Sequence, residues 1–180
     1  MVYVLLGTGF EEIEALTPVD LLRRAGVEVK TVGLNGKTVY GGHAIGVVCD
    51  MEIGELDVSD AEMIVLPGGL GGVASIRGCE AALMAVKAVS GNNGYVAAIC
   101  AGPTVLADLG LLKGVKATCY PGQIPNMKDA LVVENAACVT EGKVITGTSA
   151  GTAVPFALAL IEALKGPEAA RAIADQIVIR

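Results

Sequence analysis

The chain has 180 residues, 53% of them apolar and 18% charged, with a net charge of −6. That composition excludes a disordered chain, and the length suits a single domain over 1–180 that buries a full core. A net-acidic chain with 3% aromatics lacks both phosphate partners and stacking platforms, so no nucleic-acid partner is expected, and adhesion to an anionic membrane surface is disfavoured.

The mean hydropathy of +0.61 is high, yet no run reaches the ~18 apolar residues of a membrane span. The longest candidate, Ala150 to Leu164, is broken by Pro155 and Glu162. Met1–Gly7 has no basic flank, is too short for a signal peptide and reads as a first strand. The five cysteines are widely spaced, with no C-x-x-C pair and a single histidine. That pattern speaks against a zinc site or a disulfide framework and makes the reducing cytoplasm the expected compartment. No metal and no cofactor are expected.

In chain order, Val2–Leu6 is a strand ending at Gly7-Thr8-Gly9, and Glu11–Ala25 a helix stopped by Gly26. Val27–Gly33 is a second strand, Lys37–Cys49 a hairpin-like excursion, and Ala61–Leu66 a buried strand closed by Pro67-Gly68-Gly69. Val73–Ser90 reads as one helix, Tyr95–Ile99 as a strand, Ala101–Leu109 as a helix and Val115–Thr118 as a fifth strand. Leu131–Val133, Ala137–Thr140 and Lys143–Thr146 are late strands, and Thr152–Leu164 and Pro167–Asp175 the final helices. Continuously apolar strands alternating with helices predict an α/β, doubly wound, mostly parallel sheet between helix layers. Ligands bind such sheets at the carboxyl ends of the strands.

Three strand ends carry candidate chemistry. In Val96-Ala97-Ala98-Ile99-Cys100-Ala101-Gly102-Pro103 a buried strand runs into a cysteine, small residues and a helix, the layout of a nucleophile elbow. The helix amino terminus is expected to favour the thiolate, and the competing reading is a buried, inert thiol. In Glu11-Glu12-Ile13-Glu14, the first two carboxylates read as helix-start charges, whereas Glu14 is placed to face the strand-end crevice with a raised pKa. Pro18 removes the donor to the Glu14 carbonyl and predicts an irregular first turn. The glycines of Leu66-Pro67-Gly68-Gly69 leave backbone N–H groups open to an oxyanion, or simply make a turn. Thr148–Thr152 reads as helix capping. His43 is expected to lie away from every strand end, and Tyr120 either lines the crevice or packs under a loop.

Taken together, Ala97–Pro103, Glu11–Glu14 with Pro18-Val19-Asp20, and Val65–Gly69 resemble the ThiJ/PfpI (DJ-one) superfamily, in the branch of the parkinsonism-associated protein deglycase. The resemblance spans nearly the whole chain. It implies a flavodoxin-like sandwich and a homodimer with Cys49 near its interface. It also implies a reactive Cys100 with a protonated carboxyl partner at Glu14, and oxyanion-type amides at Gly68, Gly69 and Ala101. The activities implied are glutathione-independent glyoxalase or protein deglycase action on small reactive aldehydes or glycated protein adducts, redox sensing through a cysteine sulfinate, and chaperone action in oxidative stress. Two departures stand out. Some members have histidine where Tyr120 stands, and a phenol titrating near ~10 is no base at neutral pH. Protease-like members have histidine directly after the cysteine, where this chain has Ala101, which weighs against a cysteine peptidase.

Overall fold

Val2-Tyr3-Val4-Leu5-Leu6 alternates between two cores rather than between core and water: Val2, Val4 and Leu6 pack with one buried cluster and Tyr3 and Leu5 with the other. Such a strand has helices on both faces and belongs in the middle of a sheet. The computed structural model describes residues 1–179 and places it there.

The elements in chain order are β1 (Val2–Leu6), α1 (Glu12–Arg24), β2 (Val29–Gly33), β3 (Thr38–Tyr40), β4 (Gly46–Val48), β5 (Met51–Glu52) and β6 (Met63–Leu66). Then come α2 (Leu70–Arg77), α3 (Glu80–Gly91), β7 (Tyr95–Ile99), α4 (Pro103–Asp108), β8 (Lys116–Ala117) and β9 (Leu131–Val132). The chain closes with β10 (Cys138–Glu141), β11 (Val144–Gly147), α5 (Ala153–Lys165) and α6 (Pro167–Gln176). The seven-stranded sheet has the order β10-β11-β7-β6-β1-β2-β5 and is parallel except for the β10–β11 pair. Helices α1, α5 and α6 cover one face, while α2, α3 and α4 cover the other.

The winding reverses at β1, because the chain proceeds outward to β2 on one side and later to β6 and β7 on the other. A crevice therefore opens beyond the carboxyl ends of β1 and β6, where Gly7–Gly9 and Pro67–Gly69 lie. The end of β7, carrying Cys100, is next to it.

Two expectations are corrected. The predicted helix over Val73–Ser90 is two helices: α2 is capped at Gly78, and Cys79 is extended before α3 begins. The predicted fifth strand, Val115–Thr118, contributes only Lys116–Ala117 and lies outside the main sheet, paired with β9. The β10–β11 hairpin has taken the position beyond β7, so the Thr118 N–H finds the Thr146 hydroxyl of β11 at 2.9 Å instead of a ladder carbonyl. The irregular first turn expected from Pro18 is corrected as well: Pro18 lies inside a continuous α1. Among the described residues no helix is long and apolar enough to cross a membrane.

Phe156 of α5 is fully buried against the β7–β11 face. Phe156→Ala is expected to cost about 3–5 kcal/mol, measured by urea unfolding, because the sheet beneath cannot collapse into the space left.

Candidate active site

Cys100 follows β7 directly and has φ = +65°, a left-handed conformation that costs a side-chain-bearing residue about 1 kcal/mol or more. Hydrogen bonds hold it there. Its N–H donates to Gly147 O at 3.0 Å, its carbonyl accepts the Tyr120 N–H at 2.9 Å, and the Gly102 N–H turns back to Ile99 O at 2.9 Å. The strained elbow read from the sequence is therefore present, and it turns the sulfur toward the crevice. Pro103 opens α4, where a missing N–H costs nothing.

Glu14, in the first turn of α1, points inward and is 1% exposed. Its Oε2 accepts the Gly68 N–H at 2.9 Å, and the Ala150 N–H and the Cys100 thiol also hydrogen-bond its carboxyl. Burial pushes Glu14 up to about 7, against the opposing effect of these three donors. Burial, then the charge of Glu14 and the hydrogen bond to it, push the Cys100 thiol up to about 12, while the N–H groups of Ala101 and Gly69 pull it down. The expectation of a thiolate favoured by the helix amino terminus is thus corrected: burial first and the nearby carboxylate second oppose the charge on sulfur, so sulfur and carboxyl compete for one proton.

Gly68 also needs reassignment. The sequence grouped it with the oxyanion donors, yet its N–H is engaged by Glu14. Gly69 and Ala101 supply the two amides directed at the sulfur. Gly68 is where it is for space: a Cβ would lie 2.4 Å from Glu14 Oε2 and 2.7 Å from Cys100 Cβ. Gly69 combines φ = +82° with a close approach to Gly9 O.

The sulfur opens into a cavity of about 250 Å³ lined by Glu11, Gly69, Leu70, Cys100, Ala101, Tyr120 and Gln123. This hollow has room for a ligand of a few heavy atoms. Of the two readings of Tyr120, the crevice one holds: its ring is half exposed at the mouth. Among the described residues, Glu11 is the charged member of the lining. Leu70 and Gln123 escaped the sequence reading because a leucine after two glycines and a glutamine in an irregular segment carry no pattern of their own. Ser149 and Thr152 form the expected reciprocal cap, and the same turn directs the Ala150 N–H at Glu14.

Glu12 and His43 overturn two further expectations. Glu12 is not a solvated helix-start charge. It is 5% exposed, and its carboxylate accepts the His43 N–H at 2.7 Å and lies 2.9 Å from His43 Nδ1. Burial works against its charge, but these hydrogen bonds and one from the Ile45 N–H hold it below the ordinary carboxylate range. The His43 loop is consequently folded onto the end of β1, with the Gly42 N–H on Phe10 O and the Gly9 N–H on Tyr40 O, both at 2.8 Å. Donor atoms of Glu11, Glu12 and His43 lie within 4.8 Å of one another, and the Glu12–His43 bonds account for this convergence. His43 is absent from the lining around Cys100. Cys49 is buried within the single chain, and burial raises its thiol.

Comparison with known proteins adds the following. The DJ-1/PfpI family model matches residues 1–163. Protein dj-1beta of Drosophila melanogaster is 34% identical over 178 residues, covering 98% of this chain and 95% of that protein. The glutathione-independent glyoxalase DJR-1.2 of Caenorhabditis elegans is 30% identical over 166 residues, covering 88% of this chain and 84% of that protein. Among solved structures, oxidized Toxoplasma gondii DJ-1 superposes with a TM-score of 0.94 at 33% identity, over 98% of this chain and 97% of that one.

Because the folded-state value of Glu14 lies above its ordinary 4.5, the folded protein holds that proton more tightly than the unfolded chain. The stabilisation is complete below about pH 4.5 and is lost as pH rises toward 7, a change of roughly 3 kcal/mol from this group. Urea midpoints across this range should fall with pH in the wild type, and Glu14→Gln should remove that component. The same substitution deletes a neighbouring negative charge, so thiol titration should find Cys100 well below the wild-type value.

Proposed function

The chain belongs to the DJ-1/PfpI family, and on that footing we propose that it is a cysteine-dependent enzyme acting on small reactive carbonyls, as a glutathione-independent glyoxalase or a deglycase of carbonyl-modified proteins. The observation that carries this reading is the buried contact of a thiol and a carboxyl whose proton is mobile near neutral pH, at the floor of a small cavity. A relative over most of this length is named as a glyoxalase of this kind.

A 2-oxoaldehyde such as methylglyoxal would react as follows. The Cys100 proton passes to the Glu14 carboxylate as sulfur attacks the aldehyde carbon. The amides of Gly69 and Ala101 receive the developing alkoxide, which Glu14 then protonates to give a hemithioacetal. Glu14, again a carboxylate, removes the C–H proton from the former aldehyde carbon. That proton returns to the neighbouring carbonyl carbon while the hydroxyl proton of the first carbon passes to the neighbouring oxygen, so the ketone becomes a secondary alcohol and the first carbon a thioester. Water hydrolyses the thioester to the hydroxy acid and frees the thiol. The sum is aldehyde plus water to hydroxy acid, with no external oxidant and no cofactor. An acid of about 7 suits both halves of this proton traffic. Glu14 thus supplies the base that a histidine at the position of Tyr120 would otherwise provide.

The same sulfur supports a second reading, a redox sensor or chaperone without turnover. Cys100 is open to the cavity, and Glu14 with the Gly69 and Ala101 amides could hold the oxygens of a sulfinate. One similar structure is described as oxidized. A peptidase is disfavoured, because the lone His43 is engaged by Glu12. Family membership is also the basis for proposing a homodimer with Cys49 near its interface, where the adjacent Val48 is exposed. Five free cysteines are in keeping with a reducing, cytoplasmic setting.

Lactate formation from methylglyoxal should be lost in Cys100→Ser, and undiminished turnover in that variant would defeat the assignment. In the wild type, kcat/KM should rise with pH through about 7, because Glu14 must be ionised to accept the thiol proton. Mild peroxide followed by mass spectrometry separates the two readings: selective gain of two oxygens on Cys100, with negligible turnover of aldehydes, favours the sensor.

A further inference from the structure

We propose that Arg77 is a positioning residue for the cysteine elbow: acting through the Thr104 hydroxyl, it fixes the Ala101 carbonyl, in the peptide group next to the one whose N–H meets the Cys100 sulfur. The inference rests on reading Cys100 as the reactive group.

Thr104 is fully buried in α4 and stands four residues after Cys100. Its hydroxyl donates to the Ala101 carbonyl at 2.6 Å and accepts an N–H from Arg77 Nη2 at 2.7 Å. A hydroxyl has one proton. With a charged donor on its oxygen, that proton has a single useful direction, onto Ala101. The back-bond to Ala101 is local and open to any threonine at this place. The guanidinium is not local: it arrives from the end of α2, 27 residues earlier in the chain. Arg77 uses its fork for both tasks, since Nε donates to Asp108 Oδ2 at 2.9 Å while Nη2 reaches Thr104. Asp108 is also paired with Lys128, beyond the irregular segment that carries Tyr120 and Gln123.

The peptide on the other side of Ala101 is held independently, by the Tyr120 N–H on the Cys100 carbonyl at 2.9 Å. Ala101 is therefore pinned through the carbonyls before and after it, and its N–H is kept on the sulfur although Cys100 sits at φ = +65°. Helix α2 begins directly after Gly69, the second amide donor, so the Arg77 contacts also tie that donor's helix to α4. Without Arg77 the Thr104 hydroxyl is free to turn, and the strained elbow has one fewer restraint.

The test is the rate of Cys100 carbamidomethylation in the folded full-length chain near neutral pH, followed by peptide mass mapping, alongside kcat and KM for methylglyoxal. Alkylation needs no substrate, so it reports on the elbow even if the proposed activity fails. The Arg77 side chain is half exposed, so Arg77→Met should fold. It should slow alkylation roughly tenfold, the scale of one charge-assisted hydrogen bond, and lower kcat similarly with KM little changed. Thr104→Val should match it, and Thr104→Ser, which keeps the hydroxyl, should restore most of the rate. Lys128→Met leaves the Arg77–Thr104 contact intact and should behave as wild type. Wild-type alkylation in Arg77→Met, or equal slowing in Lys128→Met, would overturn the proposal.

Discussion

Burying an acid beside a thiol is unfavourable for whichever of the two carries charge. The structure meets that cost by holding one proton between Glu14 and Cys100 and surrounding the pair with backbone donors. Gly68 and Ala150 serve the carboxyl, while Gly69 and Ala101 serve the sulfur. The donors come from separate segments at the ends of β6, β7 and β11, and the acid comes from α1. The pair exists only where these ends meet, and such a meeting is a property of a parallel sheet whose winding reverses at β1.

The reversal point explains why the surroundings are crowded with glycine and alanine. Four chain segments converge within hydrogen-bonding distance, and side chains there would displace the atoms that matter. Gly68 makes the point at atomic scale, since a methyl group would overlap the Glu14 carboxyl. The strain at Cys100 has the same origin. A sulfur turned out of the end of a buried strand needs a backbone that leaves the strand at once, and the Gly147 carbonyl and the Tyr120 N–H hold that departure from either side.

Two polar sets brace the outside of this arrangement. On one flank, Glu12 holds the His43 loop on the end of β1. On the other, Arg77 links the end of α2 to α4 through Thr104 and Asp108. Both span long stretches of sequence: Glu12 reaches the backbone of the His43 loop, and Arg77 reaches the Thr104 hydroxyl that bonds the Ala101 carbonyl. A site that moves a proton between two buried groups depends on such bracing, because small displacements alter the hydrogen bonds that set their acidity.

Much of this was readable from residues alone wherever the physics is local. Apolar strand runs alternating with helices identified the doubly wound sheet, because period and length follow from burial on two faces. Ile99-Cys100-Ala101-Gly102-Pro103 announced an elbow, because only small residues allow so abrupt a turn. The inward direction of Glu14 was expected from its place beside Ile13 on a helix whose other side carries apolar residues, and Glu14 is buried while Ile13 is exposed. Tertiary structure decided the remainder. Glu12 is a buried loop anchor only because a hairpin some thirty residues later folds against it. Lys116–Ala117 leaves the main sheet because a later hairpin occupies the position beyond β7. Gly68 gives its N–H to an acid rather than to the sulfur, and burial together with that same acid raises the Cys100 thiol. Each outcome turns on which distant groups share a few cubic ångströms, and pairwise distance across a fold is not written in the local order of residues.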